Sequence, residues 1–195
     1  MPPDAAPTDV VPLRLLVVCT ANQCRSPMGE VIARDAMRRR GLHGAVGSAG
    51  TDAVDGAPAT DGAQLAVRKL GLDLGAHRSR AVSAELVATA DVIVGMERHH
   101  VIALVTEHGA PLSSTFTLLE LAALAESAAP RMPGEPIAEW CARISSGRDP
   151  RNALTGADID DPIGRSLRRY RATARLIVDG VERVLDAFGP GSPTR

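Results

Sequence analysis

Aromatic side chains are nearly absent. The 195-residue chain carries one Trp, one Tyr and two Phe, so a ligand site walled by stacked rings has only Phe116, Trp140, Tyr170 and Phe188 to draw on. Cysteine is scarce as well. Cys19, Cys24 and Cys141 form an odd set without regular ligand spacing or a histidine close by, which argues against a disulfide framework or a zinc site and for free thiols. No apolar run approaches the roughly 20 residues that cross a bilayer. The opening "MPPDAAPTDVVP" has neither the basic start nor the apolar middle of a signal peptide, so the expectation is a cytoplasmic protein with no membrane partner. A formal net charge of −1 gives no general attraction for nucleic acid. What the chain does have is 45% hydrophobic residues, enough for one substantial core.

Those residues alternate between two periods. "LRLLVVC" (13–19) reads as a buried strand. Ser26 as N-cap and Pro27 as first helical residue then start a helix whose Met28, Val31, Ile32, Ala36 and Met37 share a face until "RRRG". "AVGSAGT" (45–51), "DVIVGM" (91–96) and "STFTLL" (114–119) are expected strands, with helices through Ala63–Leu70 and about Glu97–Glu107. From Arg165 to Phe188, apolar residues at helical spacing predict a long amphipathic helix. The pattern predicts an α/β fold, a mostly parallel sheet covered on both faces, with the ligand site outside the carboxyl ends of the strands. Residues 1–12 read as a leader, 13–188 as one domain, 122–157 as a surface insertion with a short helix in "PIAEWCARISSG", and 189–195 as a tail.

Cys19 stands at such a carboxyl end. Between it and Arg25 lie Thr20, Ala21, Asn22, Gln23 and Cys24, and the loop runs straight into a helix N-terminus. Backbone N–H groups turned inward in such a loop, together with the helix dipole, make a hollow for an anion, with phosphate the obvious guest. The same field favours a thiolate nucleophile at Cys19. Arg25 can fork onto two phosphate oxygens, and Ser26 can donate a hydrogen bond to the sulfur.

"VCTANQCRSPMGE" resembles the signature loop of the low-molecular-weight protein tyrosine phosphatases. "SAGT" (48–51), "GLDLGAHRSR" (71–80), "ADVIVGM" (90–96) and "DDPIGRS" (160–166) follow in the order that family shows. The resemblance implies a three-layer αβα sandwich, flavodoxin-like, with a four-stranded parallel sheet. It implies hydrolysis of phosphomonoesters without metal or cofactor, Cys19 as nucleophile, Arg25 as phosphate binder, and Asn22 propped by Ser48 and His77. The leaving oxygen needs a proton. "DIDDPIG" offers Asp158, Asp160 and Asp161, and the family's acid, an Asp before Pro near the last helix, corresponds to Asp161, which Pro162 holds extended. Asp149-Pro150 is a decoy of the same type.

Three other readings compete with this one. Asp158-x-Asp160 is like the pair of magnesium-dependent aspartyl phosphatases but lacks a strand before it. Arsenate reductase shares the loop, and a non-catalytic phosphate-binding module would keep it. "MERHH" (96–100) reads as a partly solvated helix face rather than a metal site. The sequence also departs from the resemblance where phosphotyrosine would be gripped. Gln23 stands for a usual apolar residue, Val54 for a frequent Tyr or Trp, Ile163 for a common aromatic, and Ala21 for a usual Gly. The expected partner is therefore a phosphorylated substrate, with a small or polar phosphomonoester preferred over phosphotyrosine unless Trp140 supplies the missing wall.

Cys24 is not needed for attack, and its closeness to Cys19 permits a reversible disulfide that would protect the nucleophile. Activity lost to peroxide should return with dithiothreitol; loss that dithiothreitol cannot reverse would rule the disulfide out.

Overall fold

The run Leu13–Cys19 forms β1, and its alternation sends Leu13, Leu15, Val17 and Cys19 to one face and Leu16 and Val18 to the other. From Leu15 to Cys19 both faces are buried, which is why that stretch is apolar throughout, and only Arg14 near the start of the strand is exposed. A computed structural model describes residues 12–148 and 158–188. Gly44–Gly50 (β2), Val92–Gly95 (β3) and Thr115–Thr117 (β4) complete a four-stranded sheet of order β2-β1-β3-β4. Every pairing is parallel, with Cys19 opposite Gly50 and Val18 opposite Gly95. The strands therefore end along one edge, and the chain leaves all of them on the side of the Cys19 loop.

Seven helices cover the sheet among the described residues: Arg25–Arg39 (α1), Asp61–Arg68 (α2), Ala84–Thr89 (α3), Arg98–Thr106 (α4), Leu118–Ser127 (α5), Ile137–Ser145 (α6) and Leu167–Asp186 (α7). Met28 and Ile32 of α1, Leu121 of α5 and Ile177 and Val181 of α7 join the larger core on one face. Val87 of α3 and Leu104 of α4 pack with Leu16, Val18 and Ile93 on the other. The result is the three-layer α/β arrangement that the strand and helix alternation predicts.

Three local expectations change. Ser26 does not cap α1: the helix starts two residues earlier, from Cys24 without a side-chain cap, and the Ser26 hydroxyl is used inside the loop. The strand expected over 114–119 stops at Thr117, where the Thr117 hydroxyl accepts the Glu120 N–H and the Glu120 carboxylate accepts the Thr117 N–H. That reciprocal cap opens α5. The stretch 122–157 is not only a surface excursion either. It begins inside α5 and contains α6, whose Ile137, Trp140, Cys141 and Ile144, spaced one turn apart, are all buried. Trp140 is 0% exposed with its ring centroid 4.7 Å from that of Phe188, so it belongs to the core and walls no ligand site. Residues 1–11, Asp149-Pro150 and the tail 189–195 lie outside the described residues.

Because Trp140 is wholly enclosed, Trp140→Ala should cost about 3–5 kcal/mol of stability. Among the described residues the Trp140 indole N–H has no hydrogen-bond partner, so Trp140→Phe should cost much less. Denaturant unfolding followed by circular dichroism measures both, and equal small losses would mean that α6 does not belong to the cooperative core.

Candidate active site

The turn from Cys19 to Arg25 is held from outside rather than by its own bonds. Among the described residues, the N–H groups of Ala21, Asn22, Gln23, Cys24 and Arg25 find no protein acceptor. Five adjacent donors at a helix N-terminus form an anion cradle. Asn22 takes a left-handed φ of 52°, so the conformational cost of the turn falls there, and Ala21 needs no glycine-like backbone. Gly50 makes the close approach possible, since a Cβ on it would stand 2.3 Å from the Thr20 carbonyl oxygen.

A polar scaffold holds Asn22 in place. Its Nδ2 donates to Ser26 Oγ and Ser48 Oγ, both at 2.9 Å, and its Oδ1 accepts the Arg80 N–H at 2.9 Å. His77 Nε2 donates to the Asn22 carbonyl at 2.8 Å, which fixes that tautomer. Ser26 Oγ lies 3.0 Å from Cys19 Sγ and 3.2 Å from the Ala49 carbonyl. Since Asn22 already donates to it, its single proton serves either the sulfur or that carbonyl.

Arg25 is 1% exposed and extends under the loop. Its Nη1 donates to the Ile159 carbonyl at 2.9 Å and meets Glu97 Oε2 at 2.6 Å, while Nη2 meets Asp161 Oδ2 at 2.7 Å. Burial disfavours the guanidinium charge, and Glu97 and Asp161 more than restore it. Among the described residues Arg25 Nε is buried with no partner, a donor left over beside the orphan N–H groups. Asp161 is placed by its own turn: Oδ1 accepts the Ile163 N–H at 3.0 Å, and the Ile159 N–H donates to the Met96 carbonyl at 2.8 Å.

The structure thus brings together Cys19, Asn22, Arg25, Ser26, Ser48, His77 and Asp161. Thr20, Ala21 and Gln23 are partly exposed on the loop, whereas Val54, 76% exposed, and Ile163 sit on open surface. Cys24 points into the core, where burial and then the Asp161 charge push its thiol well up and keep it protonated. Asp158 caps α4, accepting the Arg98 N–H at 2.9 Å, so it is engaged structurally and has no nucleophile's position. All four aromatic side chains are buried, with Phe116 and Trp140 at 0% and Tyr170 and Phe188 at 6%.

Glu97 and His100 are the residues the sequence reading missed. The "MERHH" face is solvated at His99, but Glu97 is the main counter-charge of Arg25 and His100 is 0% exposed. The usable signal was position, since residues just past a parallel strand's carboxyl end face the site. Glu97, His99 and His100 also lie close enough to suggest a metal cluster. His100 cannot serve it: Nδ1 accepts the Glu97 N–H at 3.0 Å and Nε2 is engaged with Thr20 Oγ1 at 2.9 Å, leaving no free lone pair.

Burial, with help from the His99 and Arg25 charges, lowers the His100 pKa to about 3. Between about pH 3 and the ordinary value near 6.5 the unfolded chain therefore binds a proton that the native chain refuses. Stability should rise with pH through that window and level off above it. Thermal unfolding from pH 4 to 7 should show this, with a weaker pH dependence in His100→Gln; identical slopes would mean that His100 is protonated in the fold.

Known proteins share this arrangement. Residues 14–129 match the model of a family described as low molecular weight phosphotyrosine protein phosphatase. The probable low molecular weight protein-tyrosine-phosphatase EpsP of Ralstonia nicotianae is 36% identical over 108 residues, 55% of this chain and 71% of that protein. A protein-arginine-phosphatase of Geobacillus stearothermophilus is 28% identical over 177 residues, 90% of this chain and 93% of that one. Other matches span little more than half of the relative, as with 57% of Ptp from Acinetobacter johnsonii. A solved structure of the YwlE arginine phosphatase, carrying a phosphorylated active-site serine, superposes with a TM-score of 0.70 at 25% identity, covering 89% of this chain and 94% of that one. The family match spans more than half the chain and includes the cradle, and the fold around it is the same: the chain belongs to the low molecular weight phosphotyrosine protein phosphatase family and is a cysteine-dependent phosphatase.

Proposed function

We propose that Cys19 carries the phosphoryl group through a phosphocysteine, with Asp161 as the proton donor and acceptor. The observation that carries this is the orphan cradle: five loop N–H groups and Arg25 Nε, all without partners among the described residues, around the turn that Cys19 opens. A bound phosphoryl group would accept from these donors and take over the Nη2 of Arg25 that Asp161 now occupies. The Cys19 thiolate attacks phosphorus as the bond to the leaving group breaks, and Asp161 gives its proton to that group. Asp161, now a carboxylate, takes a proton from water, the water oxygen attacks phosphorus, and the P–S bond breaks to release inorganic phosphate and the thiolate. The Ser26 hydroxyl, 3.0 Å from Sγ, supports the departing sulfur. The phosphorylated active-site serine of the YwlE variant is a precedent for a covalent phosphoenzyme in a relative.

Among the described residues nothing suggests a thiol relay of the arsenate-reductase kind. Cys141 is buried in α6, and burial pushes its thiol up to about 12, so it holds its proton.

The substrate we infer is a phosphorylated group that is polar rather than aromatic. With all four Phe, Trp and Tyr side chains buried, none of them can stack on a phenyl ring. The rim instead offers Gln23, Asp52 and Asp160, the last two exposed. A phosphorylated sugar or other small phosphomonoester suits such a rim. Phosphoarginine on a protein is the second reading: the carboxylates match a guanidinium leaving group, and the relative aligned over 90% of the chain is a protein-arginine-phosphatase.

Cys19→Ser should abolish turnover of an aryl phosphate while inorganic phosphate still binds, and Asp161→Asn should lower kcat by roughly 10²–10⁴. Wild-type turnover by Cys19→Ser would end the mechanism. A panel of phosphotyrosine peptide, phosphoarginine peptide and sugar phosphates reads the substrate through kcat/KM, and a clear preference for phosphotyrosine would overturn the polar assignment.

A further inference from the structure

Among the described histidines, His100 alone is fully buried, and the chemistry above gives it no task. Its two nitrogens nonetheless face opposite constraints. The Glu97 N–H donates to Nδ1 at 3.0 Å, so Nδ1 carries no proton. The neutral ring must then bear its proton on Nε2, and Nε2–H donates to Thr20 Oγ1 at 2.9 Å. Protonating the ring would set a second N–H against that of Glu97. Burial keeps the ring neutral down to about pH 3, so this arrangement persists across the working pH range.

The consequence falls on Thr20. Its oxygen receives a hydrogen bond from behind, and among the described residues it makes no other, so its own O–H proton is unspent. Thr20 directly follows Cys19 and borders the five orphan N–H groups. We propose that His100 is a positioning residue: as the Nε2–H tautomer it holds the Thr20 hydroxyl with its proton turned into the cradle, making Thr20 a side-chain donor to the bound phosphoryl group. This rests on the phosphatase reading of the loop.

The charged groups around the pair leave that direction intact. On the α4 side stand Glu97, His99 and Arg25, with Glu97 already engaged by Arg25 at 2.6 Å. Across the loop, Asp161 is held at 2.7 Å by Arg25 Nη2. No carboxylate among them is hydrogen-bonded to Thr20, which leaves the anion as the natural acceptor for its proton. Glu97 ties the parts together. Its side chain holds Arg25, while its N–H sets the His100 tautomer, so one residue fixes both the guanidinium and the hydroxyl.

The test is a double-mutant cycle between Thr20→Val and His100→Phe, read as phosphate affinity by calorimetry and as kcat/KM for an aryl phosphate. A hydrogen bond to a charged group is worth on the order of tenfold in affinity, so each single variant should lose about that factor. The double variant should lose no more than the worse single, because both remove the same donor. His100→Gln keeps an N–H for Thr20 and should recover most of the loss. Losses that multiply in the double variant, a His100→Gln no better than His100→Phe, or a Thr20→Val with wild-type phosphate affinity would each overturn the assignment. Should His100→Phe fail to fold, Thr20→Ser against Thr20→Val decides: serine binding phosphate well and valine poorly supports it, equal affinities refute it. Calorimetry needs no turnover, so an inactive wild type that binds phosphate sinks the phosphatase reading while still scoring this one. A wild type that does neither ends both.

Discussion

The site depends on a buried positive charge. Arg25 is 1% exposed, and a guanidinium so enclosed is tolerable only if carboxylates and carbonyls surround it. Glu97 comes from the turn after β3, and Asp161 and the Ile159 carbonyl come from the segment before α7. Each partner answers the same charge from a different direction, and each is aimed by its own backbone: Glu97 by the start of α4, Asp161 by the turn through Ile163, Ile159 by the Met96 carbonyl. Removing any one leaves a charge without its match in a poorly solvated place, where breaking a pair costs far more than the pair itself is worth. The arrangement is asymmetric in a useful way. Among the described residues two guanidinium nitrogens are answered and Nε is not, which leaves one surplus donor on this buried charge.

Around that charge, the loop is a case of strain held by polar contacts. A left-handed Asn22 would not persist alone. Here its amide, its side-chain oxygen and its carbonyl are each claimed, by Ser26 and Ser48, by Arg80, and by His77. With the loop's outward-facing groups so engaged, its N–H groups turn inward, and no electrostatic preparation is left for the moment of binding. The sheet supplies the remaining condition. Parallel pairing sets Gly50 beside Cys19, and only a residue without a Cβ permits the backbones to lie that close.

Much of this was legible in the sequence because local rules and function agree there. The strand at Leu13–Cys19, the helix beginning near Arg25, β2 and the long final helix follow from period and punctuation. The cradle follows from Cys19, Arg25 and Ser26 at strand end and helix start. What escaped notice depended on the third dimension or on an overlooked cap. Glu97 and His100 have the composition of a solvated helix face, and only the meeting of β3 with β1 sets Glu97 against Arg25 and buries His100. Ser26 looks like a helix cap because caps and sulfur donors are the same residue type. Thr117 and Glu120 do spell a reciprocal cap, but the apolar run across them mimics a longer strand. Trp140 sits in a segment rich in Ala, Pro and Gly, whose composition hides the one-turn spacing of Ile137, Trp140, Cys141 and Ile144.

The distance along the chain between the parts has a kinetic meaning. Arg25 meets the Ile159 carbonyl across 134 residues and Asp161 across 136. Contacts of such high sequence separation form late, after most loop entropy has been spent. On a growing chain, Arg25 at the end of the cradle precedes Asp161, the proposed proton donor, by 136 residues. The polypeptide therefore passes through a stage at which the loop that would grip an anion has been synthesised and two of the groups that answer Arg25, the Ile159 carbonyl and Asp161, have not.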